Sequence, residues 1–172
     1  TAEVGINQTY LATDTTGRAL WGASYSGGTA SVHRLGEDGL VESEDVQVIP
    51  TEKNAHSIVA DRSGRFVYVP HTGPEAIYQF AWDGAEKKLS PLMNPQIRTP
   101  AKTGPRHIKF HPHLATAYTA NELGSSTTVY RLDSNGNLEP LQTLTTLPAE
   151  FTGENTCAEV KIHPSGKWVY VS

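Results

Sequence analysis

One feature constrains the fold of this chain most strongly: a unit of about 50 residues that recurs along it. Each unit has a short strand, a marker residue, a turn and a second strand, and the markers are Asp14, Asp61, His111 and His163. Successive markers lie 47, 50 and 52 residues apart. Repeats of roughly 40–50 residues that hold several short strands are typical of β-propeller blades. The repeat therefore predicts a β-propeller.

Two further strands follow in each complete unit. Third strands are predicted over 30–35, 77–82 and 127–133, and fourth strands over 40–49, 89–97 and 138–147. Four antiparallel strands per repeat make one blade. No window sustains the three-and-four apolar spacing of an amphipathic helix, so we expect an all-β chain.

The repeats divide the chain into blades at 1–53, 54–102 and 103–152, with an incomplete blade at 153–172. No charge run or low-complexity linker separates them, so we expect residues 1–172 to form one partial propeller domain. A closed propeller requires roughly four to eight blades, which is more than the three and a third present here. We therefore expect the remaining blades to lie in a longer chain.

Aligning the units on their markers brings a set of polar residues into register. Five residues before the markers lie Thr9, His56, Arg106 and Ala158, and eleven residues after the first three lie Tyr25, Thr72 and Glu122. In an antiparallel hairpin the start of the first strand and the end of the second share one edge. These positions should thus ring one mouth of the central channel. Because repetition alone would place similar residues there, His56, Arg106 and Glu122 indicate a site.

Together these residue types offer a cation for an anionic oxygen and groups that accept a proton. Arg106 offers a planar, permanently charged donor fork for a carboxylate, phosphate or lactone oxygen. Glu122, ionised beside Arg106, and His56 are the candidate general bases. His71, next to Thr72 on the same predicted face, is a candidate substrate contact.

Other histidines and aromatic residues have structural interpretations. We expect structural roles for His107, His111 and His163, the last two of which precede prolines at turns. Packing between blades is expected of the aromatic residues on second strands, which are Trp21, Tyr68, Tyr118, Trp168 and Tyr170.

Composition excludes several classes of function. The net charge of −4 is spread along the chain without a basic stripe, so we expect no nucleic-acid partner. No apolar run approaches the roughly 20 residues that span a bilayer, so we expect no membrane partner. A single cysteine, Cys157, excludes an internal disulfide and favours a cytoplasmic location. No metal or nucleotide motif is present, and we expect neither a metal nor a cofactor.

Four short segments together resemble the seven-bladed propeller lactonase family. They are residues 104–107, the pair Asn121 and Glu122, the loop 151–156, and His56 with Ser57. This family includes bacterial propeller-type 6-phosphogluconolactonases and fungal carboxymuconate lactonizing enzymes. The resemblance covers nearly the whole chain and implies about three and a third blades out of seven.

The resemblance also implies roles for individual residues. In the muconate branch a His, an Arg, a Glu and a second Arg form the proposed site, and His56, Arg106 and Glu122 match the first three. The second Arg would follow Ser172. Asn121, Glu154 and Asn155 lie in the resembling segments and are expected, with His71, to contact substrate.

The sequence favours a lactonase for a small anionic sugar-acid lactone, foremost 6-phosphogluconolactone. Three alternatives stay open. The first is a cycloisomerase that closes a carboxymuconate to its lactone. The second is a metal-dependent gluconolactonase-like propeller with oxygen ligands from Glu122, Asn121 and Asn155. The third is a non-catalytic binding scaffold, because a propeller fold does not by itself imply chemistry.

Overall fold

The computed structural model describes residues 7–42 and 47–172, and all regular structure within these ranges is β-strand. The first sheet contains β1 (Gln8–Thr13), β2 (Ala19–Ser24), β3 (Thr29–Arg34) and β4 (Gln47–Pro50). The second contains β5 (Val59–Ala60), β6 (Phe66–His71), β7 (Ala76–Asp83) and β8 (Lys88–Arg98). The third contains β9 (Pro105–Phe110), β10 (Thr116–Asn121), β11 (Ser126–Leu132) and β12 (Leu138–Thr145). A two-stranded sheet follows, formed by β13 (Val160–Ile162) and β14 (Val169–Val171).

Each sheet keeps its strands in chain order, and all neighbouring strands are antiparallel. Side chains from the first strands of different sheets meet, as Tyr10 of β1 and His107 of β9 do, with ring centroids 5.3 Å apart. The first strands therefore line the central channel. The predicted architecture of four-stranded antiparallel blades is confirmed.

The marker residues form the turn between the first two strands of each sheet. Asp14 accepts hydrogen bonds from the backbone N–H groups of Arg18 and Ala19, at 2.8 and 3.0 Å. Asp61 accepts them from the N–H groups of Ser63 and Phe66, both at 3.1 Å. A short acceptor side chain that captures backbone donors a few residues ahead stabilises a tight turn.

Histidine replaces the carboxylate in the third and fourth turns. Nδ1 of His111 accepts from the backbone N–H groups of His113 and Leu114, at 3.0 and 2.9 Å. With Nδ1 as acceptor, the protonated Nε2 donates to the carbonyl oxygen of Gly166 in the next sheet, at 3.0 Å. Nδ1 of His163 accepts from the N–H of Ser165 at 3.2 Å. The predicted structural roles of His111 and His163 are confirmed by these bonds.

The apolar core lies between successive sheets. One cluster joins the first two sheets, where Trp21 meets Trp82 edge-on with centroids 5.1 Å apart. A second cluster joins the second and third sheets, where Tyr68 packs on Phe110 at 5.0 Å. A third, smaller cluster contains Cys157 and joins the third sheet to the fourth. Burial of large aromatic surfaces between sheets holds neighbouring blades in register.

Side-chain hydrogen bonds add to this packing. The Gln47 carboxamide donates to the carbonyl oxygen of Leu89 and accepts from its N–H, both at 2.9 Å, which joins the first two sheets. The Tyr68 hydroxyl donates to the carbonyl oxygen of Gly136 at 2.7 Å, and Gln79 accepts from the N–H of Leu138 at 2.8 Å. These bonds satisfy buried polar groups that would otherwise oppose packing.

Two sequence expectations differ from the structure. The fourth strand of the first blade was expected over 40–49, but β4 covers Gln47–Pro50, with one isolated bridge between Leu35 and Val41. Part of the expected strand, 43–46, lies outside the described residues. Inter-blade packing is confirmed for Trp21 and Tyr68, whereas Trp168 and Tyr170 are 55% and 56% exposed.

Candidate active site

The first strands carry one extra residue at the register that the sequence singled out. In β9, Pro105 pairs with Asn121 and His107 pairs with Ala120, which leaves Arg106 as the bulged residue. In β1, Gln8 and Tyr10 pair with β2 and the residue between them, Thr9, is the bulged residue. A β-bulge bends its strand and re-aims the side chain it carries.

The second blade has an equivalent irregularity. Ala55 pairs with His71 through an isolated bridge, and Val59 pairs with Tyr68. These two pairings require one extra residue between Ala55 and Val59, in the segment that contains His56. Backbone irregularity thus recurs in three blades at one end of the channel, and it presents His56 and Arg106 there.

Arg106 and Glu122 meet at this end of the third blade. A guanidinium nitrogen, Nη1, lies 3.4 Å from Glu122 Oε2, and both side chains are about one quarter exposed. The N–H of Glu122 donates to the carbonyl oxygen of Gly104 at 2.8 Å, which fixes the carboxylate beside the bulge. Since Oε2 has no aligned hydrogen bond within the described residues, the contact is an ion pair in which both partners keep unused bonding capacity.

His56 lies next to this ion pair. Burial lowers the pKa of His56, and the neighbouring Arg106 cation lowers it further. Its ring contacts Tyr25 and His107 edge-on, with centroids 5.6 and 5.3 Å away. A histidine with a lowered pKa is neutral at pH 7, so His56 is available to accept a proton.

His107, for which the sequence predicts a structural role, also belongs to this group. Its Nδ1 lies 3.1 Å from Oε1 of Glu159, which projects from the start of the fourth sheet. The approach is close, but it lies outside hydrogen-bond geometry, so we describe the contact as electrostatic. Burial lowers the pKa of His107, while the Glu159 carboxylate opposes that shift.

A hydroxyl and an ammonium group continue the polar lining of the channel. Lys109 Nζ donates to the Tyr10 hydroxyl at 3.1 Å and lies 5.6 Å from the centre of the Tyr10 ring. Tyr10 lies on β1 and Lys109 on β9, so this bond crosses the channel from the first sheet to the third. Neither residue was singled out by sequence, although Tyr10 follows the register position Thr9 by one residue and Lys109 follows Arg106 by three.

Several buried polar atoms without a hydrogen-bond partner lie in this region. Among the described residues, His56 Nδ1, Arg106 Nε, His107 Nδ1 and Glu122 Oε2 are all buried and make no hydrogen bond. Most buried polar atoms in native proteins are satisfied, so each exception calls for an explanation. Four exceptions on neighbouring side chains indicate a place where a ligand completes the bonding.

Comparison with known proteins identifies the family of this chain. Residues 1–172 match the family described as "Lactonase, 7-bladed beta-propeller". The chain belongs to the seven-bladed β-propeller lactonase family. Within the family, it is 40% identical over 165 residues to a 6-phosphogluconolactonase of Pectobacterium carotovorum, covering 95% of this chain and 49% of that protein. It is 38% identical over 163 residues to a 6-phosphogluconolactonase of Cronobacter sakazakii, covering 94% of this chain and 48% of that protein.

A solved structure in the comparison also carries a lactonase name. The periplasmic gluconolactonase of Pseudomonas aeruginosa superposes with a TM-score of 0.84 at 27% identity, covering 95% of this chain and 49% of that one. The chain thus spans about half the length of the curated relatives it matches. The superposition covers 95% of this chain and therefore most of the described sheets.

Two residues that the sequence predicts to contact substrate lie in the interior. His71 is fully buried, its Nδ1 faces the carbonyl oxygen of Val69 at 2.9 Å, and its Nε2 faces the Thr51 hydroxyl at 3.0 Å. Burial lowers the pKa of His71 to about 4. Asn121 is also fully buried. Its carboxamide accepts from Thr119 at 2.8 Å and donates to two further hydroxyl groups.

The reason is the alternation of side chains at the end of the second strand. Ser24, His71 and Asn121 each end such a strand, and all three are buried. The next residue, Tyr25 or Glu122, points to the opposite side and reaches the channel mouth. His71 and Asn121 therefore stabilise the turn behind the site, and neither offers a free polar atom to a substrate or metal.

Glu154 and Asn155 lie in an exposed loop. The Asn155 carboxamide donates to the Ser125 hydroxyl at 3.0 Å, and the backbone carbonyl oxygen of Asn155 accepts from the same hydroxyl at 2.7 Å. Asn155 thereby ties this loop to the third blade next to Glu122. Glu154 has no hydrogen bond or ion pair within the described residues, so its role in substrate binding remains a prediction.

The described part of the chain lacks both a metal-binding cluster and a membrane-spanning helix. Over 7–42 and 47–172, no three His, Cys, Asp or Glu side chains are grouped so as to hold a metal ion. The same residues include no helix with the length and apolar character to cross a membrane.

Proposed function

We propose that the whole protein that contains this chain is a lactonase for a small anionic sugar-acid lactone, foremost 6-phosphogluconolactone. The observation that carries this proposal is the cluster of unsatisfied buried atoms on His56, Arg106, His107 and Glu122. A donor fork, a neutral imidazole and a carboxylate beside one another are the groups that opening of a lactone requires. The names of the relatives support the same reaction class.

The proposed reaction starts with attack of water on the lactone carbonyl. The neutral ring of His56 takes a proton from the water as its oxygen bonds to the carbonyl carbon. The carbonyl oxygen becomes an oxyanion, and the Arg106 guanidinium stabilises its negative charge. Glu122 holds the guanidinium in place and balances its charge while the site is empty.

Collapse of the tetrahedral intermediate completes the reaction. The carbonyl double bond re-forms as the bond from the carbonyl carbon to the ring oxygen breaks. The protonated His56 returns its proton to the departing ring oxygen, which becomes the hydroxyl of the open chain. The new acid group then loses its proton to solvent, so one water is consumed and the protein is regenerated.

The test is hydrolysis of freshly prepared 6-phosphogluconolactone by the full-length protein, measured against the spontaneous rate. We expect Arg106→Ala to lower kcat/KM by about 100- to 1000-fold, the effect typical for loss of an oxyanion-stabilising donor. Arg98→Ala is the matched control, because Arg98 also pairs with a carboxylate, Glu52 at 3.2 Å, but belongs to an exposed outer pair. No turnover above the spontaneous rate would refute the substrate, and equal effects of the two substitutions would refute the mechanism.

Loss of the ultraviolet diene absorbance of a carboxymuconate would favour lactone formation instead.

A further inference from the structure

We propose that Lys109 and Tyr10 form the subsite that binds the phosphate group of the substrate. The proposal rests on the lactonase function above, since it assigns the recognition of one end of that substrate. It concerns residues that lie farther along the channel than Arg106, the residue expected to hold the reacting carbonyl.

The charge of Lys109 favours a bound anion. No carboxylate of the described residues lies within 4.0 Å of its ammonium group. Glu159, whose charge interacts with that of Lys109, is itself paired with His107 at 3.1 Å and with Lys161 at 3.5 Å. A half-buried cation without a carboxylate partner has an incomplete electrostatic environment, which a bound anion would complete.

The hydrogen bond between Lys109 and Tyr10 also supports the subsite. An ammonium group has three donors, and the Tyr10 hydroxyl uses one of them, at 3.1 Å. Because the hydroxyl acts as acceptor in this bond, its own proton remains free to donate. The edge contact of the Tyr10 ring with His107 fixes the ring in the channel. The pair thus presents ammonium and hydroxyl donors from two blades to one point.

Lys109 also lies at a suitable distance from Arg106 along the channel. Lys109 follows Arg106 by three residues on the same strand, which corresponds to at most about 10 Å along the channel and to less where the bulge shortens the strand. The reacting carbonyl and the phosphate of a 6-phosphohexonolactone lie at opposite ends of the molecule. Long side chains from these two positions can therefore hold the two ends of one substrate. An unphosphorylated lactone would use only the first position.

The experiment compares the full-length protein with Lys109→Met on two substrates, 6-phosphogluconolactone and glucono-1,5-lactone. We expect Lys109→Met to lower kcat/KM for the phosphorylated lactone by about 10- to 100-fold, as for loss of a charge-assisted hydrogen bond. The rate on glucono-1,5-lactone should change by less than about threefold, because that substrate has no phosphate. Lys109→Arg should restore most of the loss, and Tyr10→Phe should reproduce part of it.

Lys161→Met is the matched control, because Lys161 occupies the equivalent position in the fourth sheet and is already paired with Glu159. It should leave the ratio of the two kcat/KM values nearly unchanged. An equal selective loss in Lys161→Met, or an equal loss on both substrates in Lys109→Met, would overturn the assignment.

A binding measurement separates this proposal from the lactonase function itself. The same preparations are titrated by calorimetry with 6-phosphogluconate and with gluconate. We expect the wild-type protein to prefer the phosphorylated acid and Lys109→Met to lose that preference, whether or not the protein turns over a lactone. Failure of hydrolysis alone would count against the proposed reaction. Absence of a phosphate preference, or its survival in a folded Lys109→Met protein, would overturn the subsite.

Discussion

His107 Nδ1 lies 3.1 Å from Glu159 Oε1, and this contact joins the first strand of the third blade to the start of the fourth. The carboxylate favours the protonated imidazole, whereas burial and the cations of Arg106 and Lys109 disfavour it. The same contact acts on the pKa of Glu159 in the opposite direction. Burial raises the pKa of Glu159, but His107 and Lys109 outweigh it, so the net pKa lies below the ordinary value. The two side chains therefore control each other's charge beside the proposed site.

We expect Glu159→Gln to lower the pKa of His107. The substitution keeps the size of the side chain but removes the negative charge that opposes the effect of burial. The measurement is an NMR titration of the histidine ring signals in the full-length protein. Lys161→Gln is the control, because Lys161 touches Glu159 but is 66% exposed, and its removal should move the His107 pKa far less. An unchanged or raised pKa in Glu159→Gln would contradict this account.

The second prediction concerns the pH dependence of hydrolysis. His56 must be neutral to accept a proton, so kcat/KM should fall as the pH decreases through its pKa. Burial, Arg106 and His107 lower that pKa, and Glu122 only partly opposes them, so the midpoint should lie below 6.5. We expect His56→Gln to lose about 100- to 10,000-fold in kcat/KM together with this acid limb.

The control for this prediction is His113→Gln, which removes an exposed imidazole from a turn of the third blade. It should leave both the rate and the acid limb unchanged. A wild-type midpoint above 6.5, or an acid limb that persists in His56→Gln, would show that another group is the base. Glu122 would then be the next candidate.

Much of the fold could be predicted because it repeats. Asp14 and Asp61 predict turns because their side chains bind backbone groups only a few residues away. The apolar alternation around them is the same in each blade. The register of Arg106 and Glu122 followed from the same alignment. What could not be predicted is the bulge itself, because the extra residue at Arg106 is defined by backbone pairing with Ala120 and Asn121.

Several contacts between side chains of the site form only because the blades are arranged around the channel. Tyr10 and Lys109 are 99 positions apart in the chain and meet only because the first and third blades face each other. Glu159 and His107 likewise belong to different blades. His71 and Asn121 were expected at the mouth because they adjoin register positions, but strand alternation turns their side chains inward. Adjacency in sequence is a poor guide where neighbours point to opposite faces.

The third prediction concerns the glycine that precedes the bulge. Gly104 has a φ of +59°, and a Cβ atom there would lie 2.6 Å from Cγ of Leu123. We expect Gly104→Ala to lower the free energy of unfolding by about 1–3 kcal/mol, from left-handed strain and this clash. Activity should fall as well, because the Gly104 carbonyl oxygen anchors the N–H of Glu122 at 2.8 Å.

Gly17→Ala separates the two causes. Gly17 has a φ of +67°, a methyl group there would meet no atom within 4 Å, and the residue lies at the opposite end of its blade. The substitution should cost about 1 kcal/mol through strain alone and keep full activity. Adding Leu123→Ala to Gly104→Ala should recover the part of the loss that comes from the clash. The explanation fails if both glycine substitutions lower stability and activity equally.

The last prediction is that the protein loses stability as the pH decreases from about 6.5 towards 4, in part through His71. Its folded-state pKa of about 4 lies below the ordinary value of 6.5, so the unfolded chain binds the proton more tightly. The stability from this group is therefore present above pH 6.5 and is lost between 6.5 and 4, up to on the order of 3 kcal/mol. His71→Gln, which can keep a hydrogen bond to Thr51, should flatten that part of the curve of unfolding free energy against pH. A slope equally steep in His71→Gln would assign the acid sensitivity to His33, His56 and His107, whose pKa values burial also lowers.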